Sequence, residues 1–211
     1  MNGDGHDENP LAVQHLIDGF DGALDRPYRE ADPTGPTGAY GRSKLAGEQK
    51  IAALCSNHAI LRTAWVYSPF GANFVKTMLR LGETRSELGV VADQHGNPTS
   101  AIDIADALFA IARRMRADKS SALRGVFHMT GAGEATWADF AEAILADAAA
   151  HGRKPVAVKR ITTADYPTPA KRPTNSRLDN SKLRDAFGLA LPEWRQSTKT
   201  CVARLLAPGA T

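Results

Sequence analysis

The chain has 211 residues, of which 43% are hydrophobic and 23% charged, so one domain, or a main body with a small lobe, is expected. Its net charge of +3 is spread out, which disfavours nucleic-acid binding, and no apolar run approaches the ~20 residues of a membrane span. The two cysteines, Cys55 and Cys201, form no C-x-x-C pair, which disfavours a disulfide framework or zinc site and favours a cytoplasmic location.

The first 38 residues are predicted to be an irregular N-terminal segment. Glycine, aspartate and proline recur through them, and the run ADPTGPTG at residues 31–38 excludes a regular helix or a central strand. The acidic, polar start MNGDGHDENP is not typical of a signal or transit peptide.

Helices and strands alternate from residue 39 to the end. The predicted helices are 40–58, 72–83, 101–118, 136–150, 181–188 and 191–206. The predicted strands are 59–67, 88–93, 125–131 and 156–162, with loops at 94–100 and 165–176. Such alternation predicts an α/β fold with a mostly parallel sheet. Residues 39–211 are interpreted as the second half of such a sheet with an interleaved and C-terminal lobe.

The stretch AYGRSKLAGEQK, residues 39–50, places Tyr40 four residues before Lys44. On a helix these side chains share one face. A nearby ammonium favours the phenolate and lowers the tyrosine pKa, so the pair is suited to protonating an alkoxide that forms when a carbonyl is reduced. The spacing alone also occurs by chance on solvated helix faces, and only the wider sequence favours a catalytic pair.

Several blocks carry a more specific signal. They are YGRSKLAGE (40–48), LRTAWVYSPFGANFVKTML (61–79), DQHGNPTSAIDIADAL (93–108), TWADFAEAI (136–144), DYPTPAKRPTNSRLD (165–179) and LPEWR (191–195). In this order they closely resemble the dTDP-4-dehydrorhamnose reductases, a family of extended short-chain dehydrogenase/reductases. The resemblance runs from about Phe20 to the C-terminus. It implies the C-terminal part of an NAD(P)-binding Rossmann-like fold with a small substrate-binding lobe.

The resemblance also implies an activity and a set of site residues. The family reduces the 4-keto group of a dTDP-6-deoxy-hexulose with NADPH, or sometimes NADH, in dTDP-rhamnose biosynthesis. Tyr40 would then be the proton donor, and Lys44 would bind the cofactor ribose. Trp65 would pack on the substrate sugar or be a core aromatic, Asn73 would bind substrate or cap a helix, and Arg172 would pair with the diphosphate or be an exposed loop residue.

Two parts of the family pattern are missing from the sequence. No G-x-G-x-x-G turn is present to hold a cofactor pyrophosphate at a helix N-terminus. The family's segment like S-T-D-Y-V-F-D-G keeps only Phe20-Asp21-Gly22, and the position of its threonine falls on Leu16, which cannot donate a hydrogen bond. A truncated or rearranged gene product, or a fragment of a longer reductase, would explain both. The chain alone is therefore expected to be a poor catalyst.

The alternatives are a non-catalytic sugar-nucleotide-binding or regulatory subunit, and an NAD-dependent epimerase or dehydratase relative. An epimerase needs a complete, tightly held NAD site, which this sequence does not provide. The resemblance leaves a homodimer open, and some family members hold Mg²⁺ at a dimer interface through acidic residues that cannot be assigned in this sequence.

Overall fold

The computed structural model describes residues 11–15, 19–36, 38–167 and 172–207. The helices are α1 (Ala39–Leu54), α2 (Phe74–Thr84), α3 (Ala101–Ala117), α4 (Trp137–Ala150), α5 (Ser181–Phe187) and α6 (Trp194–Leu206). The strands are β1 (Leu11–His15), β2 (Ala59–Thr63), β3 (Val66–Tyr67), β4 (Glu87–Val91), β5 (His95–Gly96), β6 (Thr99–Ser100), β7 (Gly125–His128), β8 (Ala135–Thr136) and β9 (Ala157–Ile161).

The main sheet is parallel, with strand order β1-β2-β7. Its register pairs Leu11 with Ala59 and Leu61 with Phe127. Alternate residues of β2 face opposite sides of a sheet. Leu61 packs in one apolar cluster with Ile111 and Met115 of α3, whereas Arg62 faces α1. Helices therefore cover both faces, as parallel sheets require, and the predicted α/β fold class is confirmed.

A second body of the fold contains α2, α4, α6 and the parallel pair β4–β9. Its core contains several aromatic rings. The ring of Phe140 on α4 meets Trp194 edge-on, with centroids 5.7 Å apart, and lies 5.2 Å from Tyr67. Helix α4 begins with a complete capping box, in which Thr136 and Asp139 exchange side-chain and backbone hydrogen bonds. The start of α4 is therefore determined by residues that are close together in the sequence.

Besides shifted element ends, such as α1 ending at Leu54 instead of 58, the structure differs from the sequence-based predictions in three places. Part of the segment expected to be irregular, Leu11–His15, is strand β1, whose backbone hydrogen bonds are completed by β2. The strand predicted at 59–67 is interrupted at Trp65, which has a left-handed φ of 49°. The loop predicted at 94–100 contains the short strands β5 and β6. Leu16 lies outside the described residues.

Candidate active site

Tyr40 and Lys44 lie together on one face at the start of α1. The helix begins after Gly38, in extended conformation, so Tyr40 falls in the first turn. The ammonium of Lys44 lies 5.3 Å from the centroid of the Tyr40 ring. Tyr40 is 47% exposed and Lys44 is partly buried. A ligand can reach the phenol, and the Lys44 ammonium lies near the face of its ring.

A buried ion pair lies one turn further along the same helix. Glu48 of α1 and Arg62 of β2 are 3% and 5% exposed. Arg62 Nη2 donates to Glu48 Oε2 over 2.7 Å, and Nε lies 3.1 Å from both carboxylate oxygens. The two-pronged geometry gives each charge its partner. It fixes α1, and with it Tyr40 and Lys44, against the central strand of the sheet.

His128 of β7 lies beside this pair, because Arg62 and His128 are register partners in the sheet. Its Nδ1 donates to the carbonyl oxygen of Tyr28 over 3.0 Å, and its backbone N–H donates to Glu30 over 2.7 Å. Burial, followed by the positive charge of Arg62, lowers the pKa of His128 to about 3. The imidazole is therefore neutral near pH 7.

Three residues of this site were not predicted from the sequence, namely Glu48, Arg62 and His128. Two signals were available. Glu48 follows Lys44 at a spacing of four, which places it on the same helix face. Arg62 is a charge inside an otherwise apolar strand, and a buried charge requires a partner. The identity of that partner depends on how α1 packs on β2.

Trp65 is enclosed by the protein in this structure. It is 3% exposed, and its ring stacks on Trp137 with centroids 3.6 Å apart. Its Nε1 donates to the hydroxyl of Ser176 over 3.0 Å. Gly96 also lies against the ring, since a Cβ at this residue would come within 2.3 Å of the indole. Of the two roles considered from the sequence, these contacts favour the core aromatic.

Asn73 is the N-cap of α2. Its side-chain oxygen accepts from the backbone N–H of Lys76 over 3.3 Å, and its amide donates to the carbonyl of Ser68 over 2.7 Å. Both ends of the side chain thus have protein partners. The capping role considered from the sequence is present, and a substrate contact stays a prediction.

Arg172 is exposed at the start of a segment that joins distant parts of the chain. The neighbouring Pro173 lies against Gly22, and Ser176 binds the indole of Trp65. The structure thus brings the Arg172 segment next to both the Phe20-Asp21-Gly22 turn and Trp65.

The described residues contain neither an open phosphate-binding turn after β7 nor a metal-ligand cluster. The turn Gly131-Ala132-Gly133 after β7 is packed from within, since a Cβ at these glycines would lie 2.4 Å from the Pro98 carbonyl oxygen and 3.0 Å from Trp194. It therefore offers no space for a phosphate. Within the described ranges, no three His, Cys, Asp or Glu side chains are grouped as metal ligands. In the same ranges, no helix is both long and apolar enough to cross a membrane.

Comparison with known proteins gives consistent matches. A dTDP-4-dehydrorhamnose reductase of Sinorhizobium fredii is 53% identical over 190 residues, covering 90% of this chain and 64% of the relative. The crystal structure of a dTDP-4-dehydrorhamnose reductase from Clostridium acetobutylicum matches with a TM-score of 0.84 and 38% identity, covering 93% of this chain and 66% of the other. That of Bacillus anthracis, in complex with NADP, matches with a TM-score of 0.79 and 33% identity, covering 90% and 63%.

The chain spans less than two thirds of the length of these relatives. The family model described as RmlD substrate binding domain matches residues 19–207, which is most of the chain and includes α1 to α6. The chain therefore belongs to the RmlD substrate binding domain family.

Proposed function

We propose that this chain carries the proton-transfer pair and the nucleotide-sugar-binding lobe of an NADPH-dependent dTDP-4-dehydrorhamnose reductase. The observation that carries the proposal is the geometry of Tyr40 and Lys44, half-exposed at the first turn of α1 with the ammonium 5.3 Å from the ring. The relatives' names supply the substrate, a dTDP-linked 4-keto sugar. A reaction on such a nucleotide sugar suits the cytoplasm.

The chemistry divides between the chain and its cofactor. Tyr40 gives its phenolic proton to the oxygen of the reduced keto group, and Lys44 favours the resulting phenolate. The Lys44 ammonium carries three N–H donors, which suit ribose hydroxyls. NADPH or NADH, when bound, supplies the hydride. The 211 residues fit the ribose end of this group, but they contain no Gly-rich turn for its pyrophosphate.

A graft tests the proposal. Residues 19–207 would be joined to the part of the Sinorhizobium fredii relative that this chain does not cover. NADPH consumption would then be measured with the dTDP-4-keto-6-deoxy sugar. We expect turnover, and we expect Tyr40→Phe to lower it by about 10²–10⁴-fold. Tyr166→Phe, at another exposed tyrosine, is the matched control and should leave turnover unchanged.

Two outcomes would contradict this assignment. Full activity in Tyr40→Phe would remove Tyr40 from proton transfer. Tight binding of dTDP-sugar without turnover in the graft would favour the second candidate, a sugar-nucleotide-binding protein without catalysis, which the missing Gly-rich turn already makes worth testing. Release of a 4-epimer with no net NADPH consumption would instead favour the epimerase relative.

A further inference from the structure

Residues 172–179 and 20–30 lie side by side although about 150 positions separate them in sequence. The backbone N–H of Tyr28 donates to the carbonyl of Arg177 over 2.8 Å, and the N–H of Asp179 donates to the carbonyl of Tyr28 over 2.8 Å. Tyr28 and Leu178 thereby form a parallel bridge. We call residues 172–179 the strap, since they hold the loop 20–30 in place.

Asn175 makes the side-chain connection between the strap and this loop. It is 4% exposed. Its Nδ2 donates to the carbonyls of Leu24 over 2.6 Å and Arg26 over 2.8 Å, while its Oδ1 accepts from Nε of Arg177 over 2.8 Å. Both N–H groups of the side-chain amide therefore donate hydrogen bonds. An aspartate at this position would have no N–H group to donate. The site is therefore specific for asparagine.

The strap is held on its other side by β5. The backbone N–H of His95 donates to the carbonyl of Thr174, and the N–H of Ser176 donates to the carbonyl of His95, each over 2.8 Å. Residues 174–176 are thus fixed between β5 and the 20–30 loop, with Asn175 binding the loop side.

Arg172 stands two residues before this anchored part. Pro173 between them has a restricted backbone and rests on Gly22, whose φ of +80° and contact with Pro173 leave no space for a side chain. A Cβ at Gly22 would lie 2.6 Å from the Cβ of Pro173. The direction in which the chain leaves Pro173 toward Arg172 is therefore set by where Asn175 holds the strap.

We propose that Asn175 is a positioning residue for phosphate recognition: by fixing the strap on the 20–30 loop, it presents the Arg172 guanidinium to the diphosphate of a nucleotide sugar. The inference rests on the proposed function. It assigns no contact with the ligand to Asn175 itself. The consequence is that loss of the asparagine amide should impair recognition of the phosphates and spare recognition of the nucleoside.

The test compares two ligands on the 211-residue chain, so it needs no catalysis. Dissociation constants for dTDP and for thymidine would be measured by amide NMR titration, with the spectrum also reporting on folding. Three variants are expected to lower the affinity for dTDP by about tenfold or more and to leave the affinity for thymidine unchanged. They are Arg172→Gln, Asn175→Ala and Asn175→Asp. Asn180→Ala is the matched control, because Asn180 bonds Thr130 and not the loop, and it should change neither affinity.

Each contrary result has its own meaning. If wild-type chain binds no dTDP, the proposed function fails and the inference fails with it. If Arg172→Gln lowers the affinity for dTDP but Asn175→Ala does not, the proposed function stands and the positioning role of Asn175 is wrong. If Asn175→Ala lowers the affinities for dTDP and thymidine equally, the residue has only a structural role, and the inference is overturned.

Discussion

The carboxylate of Glu48 and the guanidinium of Arg62 form an almost fully buried ion pair, with Nη2 and Oε2 2.7 Å apart, that joins the helix carrying Tyr40 and Lys44 to the central strand of the sheet. Removing one partner of a buried pair leaves the other charge uncompensated in the interior. This costs far more than the pair itself contributes.

We therefore expect Glu48→Gln and Arg62→Met each to lower the free energy of unfolding by about 3–5 kcal/mol. Urea denaturation would measure it. Arg153→Ala is the control, since its ion pair with Glu83 is half exposed on both sides at 3.3 Å and such pairs contribute about 0–1 kcal/mol. Equal losses in the buried and exposed variants would show that burial of the Glu48–Arg62 pair is not the cause.

His128 should make stability depend on pH. Its pKa is about 3 in the folded chain, below the ordinary histidine value, because of burial and Arg62. The unfolded state therefore binds the proton more readily, so the stability contribution is complete above about pH 6.5 and is lost as pH falls toward 3.

Between pH 7.5 and 5, wild type should lose about 2 kcal/mol more than His128→Gln, following the slope of about 1.4 kcal/mol per pH unit below pH 6.5. The measurement is the free energy of unfolding in urea at a series of pH values. Parallel curves for the two proteins would mean that His128 is protonated as easily in the folded state as in the unfolded state.

Gly96 lies so close to the indole of Trp65 that no space is left for the methyl group of an alanine. A Cβ there would lie 2.3 Å from Cε2 of the ring. Gly96→Ala must therefore displace Trp65 from its stack on Trp137, and overpacking of this kind typically costs about 1–3 kcal/mol. Near-UV circular dichroism would report the stacked tryptophans, and denaturation the stability.

Gly89→Ala serves as the control for that substitution, because its added Cβ would make only ordinary contacts, 3.5 Å from Ile161. An unchanged tryptophan signal in Gly96→Ala would show that the indole has another site to occupy. That result would reopen a substrate contact for Trp65.

The 211-residue chain alone should oxidise NADPH undetectably and bind it weakly. The sequence has no Gly-rich turn to hold the pyrophosphate, and correct orientation of reacting groups can contribute about 7–11 kcal/mol to catalysis. Calorimetric titration with NADPH and an assay with the dTDP-4-keto sugar would measure both. Robust turnover by residues 1–211 would show that catalysis does not require a Gly-rich turn to bind the cofactor pyrophosphate.

Strand β1 ends the sheet order β1-β2-β7 in the described part of the chain. A strand edge with unpaired backbone groups is a template for association. We expect the isolated chain to self-associate as its concentration rises. Chromatography with light scattering would measure it, and a monomer of constant mass over the whole concentration range would contradict the prediction.

Local sequence determined much of the helical structure and one part of the site. The spacing of Tyr40 and Lys44 places them on one helix face in any packing, because the α-helical repeat alone decides it. The same holds for the capping box of Thr136 and Asp139, whose bonds span three residues. The α/β class followed from the alternation of elements, and the residue blocks identified the family.

Tertiary structure decided everything that depends on a distant partner. Strand β1 forms because β2 completes its hydrogen bonds, and nothing within residues 11–15 specifies that neighbour. Trp65 is enclosed because Gly96 and Trp137 meet at its ring. Asn175 binds carbonyls about 150 residues away. Such contacts are stabilised only after the chain has closed large loops, so their energy appears in the folded arrangement and leaves no periodic pattern in the sequence.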